Sequence, residues 1–173
     1  MIRVLSATIA VVLFSSIVIL IAGYFQPVSY TGELKEFFAE RRPILWQSLT
    51  NLDLIEHTKP EVVSVEILSN NRGLITWREN LKRGHYRVFE IIEKKEPFKY
   101  VVELKENSKG LTGTWVYFLE QSSESSIVTI QEESENTSIW MRGIDFIRGR
   151  DVYLKKHMKT LRVALFRRLI DSP

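Results

Sequence analysis

The chain has 173 residues, 45% hydrophobic and 26% charged, which suits one globular domain with room for an appendage. It has no cysteine, which excludes disulfides and thiolate metal sites, and His57, His85 and His157 lack ligand-like spacing, so no metal is expected. The net charge of +3 hides a segregation: residues 138–173 carry nine Lys or Arg against three Asp, while the remainder has 15 basic and 18 acidic residues.

From Val4 to Ala22 the chain reads "VLSATIAVVLFSSIVILIA", nineteen residues without a charge. At about 1.5 Å per residue, such a helix just crosses a hydrocarbon layer about 30 Å thick. Arg3 gives a positive flank, Tyr24 and Phe25 suit the far interface, and Pro27 stops the helix. A cleaved signal peptide competes with this reading. Its apolar region would be shorter, about 7–15 residues, and Leu20/Ala22 or Ile21/Gly23 make a poor cleavage pattern. An uncleaved single-pass anchor over residues 1–26 is therefore expected, followed by a domain over 27–173. Arg3 favours an extracytoplasmic domain, whereas Lys35, Arg41 and Arg42 pull the other way.

Past Pro27 the hydrophobic period changes. Val28–Ala39 reads as a strand and Arg41–Thr58 as helical, with Pro43 in the first turn and Asn51 or Asp53 recapping a second short helix. A train of strands follows: "EVVSVEILS", "GLITWREN", "HYRVFEIIEKK", "KYVVELKE", "GTWVYFLE" and "SSIVTIQEE". Their spacing fits an antiparallel meander. One long helix, roughly 138–170, closes the chain, with Ile147, Leu154, Met158, Leu161 and Leu165 in a stripe. Gly143 and Gly149 either break it or show that it begins near Arg150. The fold class is thus α+β. About seven antiparallel strands curve around a long carboxy-terminal helix, with two short helices after the first strand and a transmembrane helix in front.

In "LITWREN", alternation puts Ile75, Trp77 and Glu79 on one face. Sorted by their bulky residues, the concave faces carry Val63, Val65, Ile67, Ile75, Trp77, Tyr100, Val102, Trp115, Tyr117, Val128 and Ile130. Glu79 and Glu132 fall on the same side. A buried carboxylate needs a partner, water or a raised pKa. Arg142, Arg148 or His85 could supply the partner, or both acids could lie at wet strand ends.

The order of elements, with "LWQSLTNLDLIEH", "TWRE", "GTWVYFLE" then "VTIQEE", and "FIRGRDVYLKKHMKTLRVAL", resembles the START-like or SRPBCC superfamily, particularly its polyketide cyclase/dehydrase-like branch. The resemblance runs from about Val28 to Leu169. It implies the helix-grip fold and an apolar internal cavity. Where the family often has a Trp after the helix pair, this chain has His57 and Lys59. The superfamily includes lipid carriers, hormone receptors, cyclases and chaperone co-factors, so fold does not fix function.

The reading that follows is a membrane-anchored binding protein for a hydrophobic small molecule or lipid. Its expected pocket residues are Val65, Ile67, Ile75, Trp77, Glu79, Tyr100, Val102, Trp115, Tyr117, Ile130, Glu132 and Met158. The membrane is met through residues 4–22, with anionic lipid as a further partner at the basic carboxy-terminal helix. The alternatives are a cyclase or dehydratase using Glu79, Glu132, His85 or Tyr117 as acid or base, or a ligand-free interaction module. No phosphate loop or nucleophile–base pair stands out, so no cofactor is expected. Nucleic acid is disfavoured because the basic residues share the helix that closes the core.

Overall fold

The computed structural model describes residues 2–108 and 110–171, with side chains described from Thr8 to Arg168. The Arg3 flank falls outside those side chains. The elements are helix α1 (Ile2–Phe25), strand β1 (Ser29–Phe38), helices α2 (Arg42–Thr50) and α3 (Ile55–Thr58), strands β2 (Val62–Asn71), β3 (Leu74–Leu81), β4 (Tyr86–Lys95), β5 (Lys99–Asn107), β6 (Leu111–Ser122) and β7 (Ser125–Asn136), then helices α4 (Ile139–Arg148) and α5 (Val152–Asp171).

The strands form one antiparallel sheet in the order β1-β7-β6-β5-β4-β3-β2. Every neighbour but one is joined by a local hairpin. The exception pairs β1 with β7, from Ser29 opposite Glu135 to Phe38 opposite Ser126. Pro at the start of α2 and the Asn51 side chain, which accepts from the Asp53 N–H, set the two short helices. The α+β architecture, one antiparallel sheet with a helix laid across it, is as the periodicities indicate.

Helix α5 lies against the concave face. Leu154, Met158, Leu161 and Leu165 are each at most 4% exposed and pack against Trp115, Tyr117, Val128 and Ile130 in one core. The helices α2 and α3 cover the other side of α5 through Leu45, Trp46 and Ile55.

Two expectations need correction. The terminal helix is two helices, separated at Gly149, whose φ of +94 is open to glycine and strained for other residues. Ile147 therefore leaves the stripe: it is 63% exposed on α4, while the four later members stay buried on α5. Helix α4 packs instead on α1, where Gly143 meets the backbone of Ile19 and Gly23 meets that of Ile139.

Strand β2 is the sheet edge, and its register slips at Val62/Ser64 and again at Ile67/Ser69. Ile67 lies opposite Trp77, yet it is 59% exposed because no helix reaches that far across the sheet. Truncation should separate the two positions. Ile130→Ala is expected to cost about 2–5 kcal/mol in denaturant titrations, and Ile67→Ala to change stability by no more than about 0.5 kcal/mol.

Candidate functional site

Between the concave face and α5, with α2 and α3 as its roof, lies a void of about 80 Å³. Trp77 and Phe89 form one wall as stacked rings, 5.3 Å between centroids, because β3 and β4 place them directly opposite each other. Tyr100, Val102 and Tyr117 from β5 and β6 form the floor. Leu49, Leu52 and Ile55 close the roof, and Leu161 and Ala164 line the helix side. A second void of about 40 Å³ shares Lys59, Phe89 and His157 with the first, and includes Trp115. A cleft of about 420 Å³ shares Arg87, Tyr153 and Lys156 with the second, and opens between α4 and the loops around Lys82 and Asn107. The three spaces thus lie side by side as neighbouring chambers with shared walls, apolar within and charged towards the cleft.

Where chambers one and two meet, an ion cluster replaces the apolar lining. Glu79 is fully buried. Its Oε1 accepts from Lys59 Nζ at 2.5 Å and its Oε2 from Arg87 Nη2 at 2.7 Å. Arg87 also reaches Glu61 at 3.4 Å, and Lys156 binds the same Glu61 oxygen. Three cations thus face two carboxylates, leaving one positive charge in excess. Burial pulls the Lys59 ammonium below its usual pKa, and the neighbouring Glu79 opposes that pull. For Glu61, burial alone would raise the pKa. Hydrogen bonds from Lys156 and its own backbone, with the charges of Lys156 and Arg87, outweigh this and bring it to about 2.

Neither acid lies at a wet strand end, and of the candidate partners Arg142, Arg148 and His85 none bonds Glu79 or Glu132. Arg142 donates to the carbonyls of Gly23, Asn136 and Thr137. His85 meets Ser108 at 3.2 Å, on the cleft side. Arg148 is exposed on α4.

Glu132 lies apart from this cluster, 1% exposed. It accepts from Ser134 Oγ at 2.7 Å, while its Oε2 and the neighbouring Trp115 Nε1 complete no hydrogen bond among the described residues. Burial raises the Glu132 carboxyl, and the Ser134 hydroxyl counters it only in part. On α5, His157 stacks on Trp115, 4.9 Å between centroids, and bonds the Tyr117 hydroxyl through Nδ1. Burial pushes the imidazole well below its usual pKa and the phenol well above. A neutral imidazole therefore pairs with a neutral phenol, and the tautomer of His157 sets which of the two donates.

The chambers bring together Trp77, Tyr100, Val102, Tyr117 and, in the second, Trp115. Val65 and Ile75 are half-buried against the core but off these walls, and Ile130 and Met158 are solid core. The sequence reading missed Lys59, Arg87, Phe89 and His157. His157 was legible as a member of the Leu154–Met158–Leu161 face. Arg87 and Phe89 needed the β3–β4 register, which alternation within one strand does not supply.

No protein-family model matches the chain, and no curated protein matches it by sequence. Solved structures do match by fold. An aromatase/cyclase from a Streptomyces species superposes with a TM-score of 0.65 at 11% identity, covering 80% of this chain and 93% of its own. Norcoclaurine synthase from Thalictrum flavum gives 0.61 at 13%, covering 84% and 88%. A START superfamily protein from Mycobacterium smegmatis gives 0.57 at 8%, covering 75% and 94%. At these identities the likeness establishes the helix-grip fold alone.

Two substitutions test the buried acids. Glu79→Ala leaves Lys59 and Arg87 without their counter-charge and is expected to cost about 3–5 kcal/mol, with part of the loss recovered in the Lys59→Met, Glu79→Gln double variant. For Glu132 the folded pKa lies above the unfolded one. Its stabilising contribution is therefore complete below about pH 4.5 and is lost as pH rises through the folded value. Glu132→Gln should then raise the melting temperature at neutral pH, with the gain disappearing in acid.

Proposed function

We propose that this chain, built on the helix-grip fold of the START-like proteins, is a membrane-anchored binding protein for a hydrophobic small molecule that carries a polar or anionic end. The observation that carries this reading is the series of chambers. Aromatic rings line the inner end, the Lys59–Glu79–Arg87 cluster stands at the neck, and the cleft beyond is open. Ligand pockets are generally apolar with a few convergent polar groups. Trp77 Nε1 and Arg87 Nε are buried donors with no partner among the described residues, so polar hydrogen-bonding capacity is left unused beside the chambers.

Size constrains the guest. A pocket for a drug-sized ligand spans roughly 300–1,000 Å³, and an engineered 150 Å³ cavity takes benzene. The inner void, at about 80 Å³, is smaller than either. The guest therefore rests its polar end in the 420 Å³ cleft and threads its apolar part inward, displacing rings and the short α2–α3 roof. An excess positive charge at the neck favours a carboxylate or phosphate at that end.

The division into an anchor over 1–26 and a binding domain over 27–173 belongs to the same proposal. Among the described residues, one helix is long and apolar enough to cross a membrane, Thr8–Phe25, with a mean hydropathy of 2.4 and 6% of its length buried. Its exposed face and its packing on α4 favour an anchor that stays with the domain. An extracytoplasmic domain is the orientation we favour, on the weight of Arg3.

Native mass spectrometry of the full chain released from detergent tests the binding reading. A co-purifying hydrophobic adduct is expected from the unaltered protein and should be lost from Ala164→Leu, which fills the inner void. Adding such a ligand at a hundred times its Kd should stabilise the chain by about 2.7 kcal/mol. A bare mass, with no thermal shift from fatty acids, phospholipids or aromatic polyketides, overturns the proposal.

A further inference from the structure

We infer that α4 is a second lipid-contacting element, seated in the membrane surface beside α1, so that the cleft opens at the bilayer. This rests on the reading of α1 as an anchor and adds to it where the domain sits.

The argument starts from the wheel of α4. At about 3.6 residues per turn, Ile139, Trp140, Phe146 and Ile147 fall within about 60° of Gly143, while Met141, Asp145 and Arg148 lie on the opposite side. The opposite side is explained, because those three residues line the cleft. The apolar face is not explained by the domain. Ile139 is 41% exposed, Trp140 40%, Phe146 54% and Ile147 63%. Four large apolar side chains on ten residues make a patch that water disfavours.

Helix α1 crosses the middle of that patch. A Cβ on Gly143 would sit 2.0 Å from the Ile19 carbonyl oxygen, and one on Gly23 would sit 1.8 Å from that of Ile139, so the two backbones touch. Small residues at helix crossings inside membranes allow this approach. Arg142 Nε fastens the corner by donating to the Gly23 carbonyl at 3.1 Å, which satisfies an acceptor near the end of α1. The exposed apolar residues of α4 therefore continue the surface of α1 on both sides of the crossing. Whatever surrounds the last turns of α1 also surrounds Trp140 and Phe146. If that is lipid around α1, it is lipid around α4.

The charges agree with this occupant. Arg148 lines the cleft on the side of α4 away from the apolar face, and Lys82 and Lys156 stand across it, so cations face a lipid headgroup that enters the cleft. Trp140 follows Ile139, whose backbone meets Gly23 near the end of α1, a depth that indole rings favour. The ligand of the proposed binding site would then enter from the bilayer directly, headgroup first reaching the cleft.

Trp140 supplies the test. The other three tryptophans, Trp46, Trp77 and Trp115, are at most 4% exposed, so the emission lost in Trp140→Phe isolates one residue. The full chain is reconstituted in phosphatidylcholine–phosphatidylglycerol nanodiscs, with acyl chains either plain or brominated. Bromine is expected to quench most of the emission that Trp140→Phe removes. Retention of the chain in native membranes through alkaline carbonate washing is measured alongside. A chain that resists extraction but keeps its Trp140 emission overturns the placement of α4 and leaves the anchor standing. A chain that washes out overturns both. Unquenched Trp140 that cross-links to a second copy assigns the patch to self-association and also overturns the inference.

Discussion

A carboxylate shut away from water has to be held by cations, and at Glu79 that requirement ties three separate parts of the chain together. Lys59 comes from the residue that ends α3, Arg87 from β4, and the acid itself from the middle of β3. Desolvating three charges has a cost that their mutual attraction only partly offsets, so the cluster is not there for stability alone. It fixes the roof helices to the sheet, and it interrupts what would otherwise be a continuous apolar core. The two inner voids and the cleft lie around it, with aromatic rings on one side and charged side chains on the other.

This division explains how a bent sheet around one helix yields a site. A concave sheet face has more area than a single helix covers. The sheet solves this in three ways along its width. Near β6 and β7, Trp115, Val128 and Ile130 fill the space against Leu154 and Met158. Near β4 and β5, the rings leave gaps. At the β2 edge the cover stops short, and Ile67 meets solvent. Filling, gap and exposure follow one another across seven strands, and the site occupies the middle zone.

The architecture was legible because period-two runs and turn residues are local signals. So was the anomaly at Glu79, since alternation within β3 alone puts it beside Trp77. Its partners were not, because Arg87 meets it only through the register of a neighbouring strand and Lys59 only through the placement of a helix end. Ile67 misled for a related reason: alternation gives the face of a residue but not whether anything lies over that face. Ile147 misled because its spacing continues the stripe of α5 through Gly149, where the backbone turns and the phase is lost. The apolar face it joins instead belongs with α1, more than a hundred residues away in sequence.

The pairing of β1 with β7 sets an order of events. Ten residues near the start of the chain must find partners about a hundred positions later, and loop-closure entropy makes such contacts late. During synthesis the first strand emerges with no neighbour, while the hairpins from β2 to β7 can zip up in turn. The sheet thus keeps one open border until its oldest segment swings in. An assembly line of this kind leaves that segment exposed to other strands for most of the chain's birth, and Lys35 with the acids Glu33 and Glu36 is the sort of charged fringe that discourages a wrong embrace.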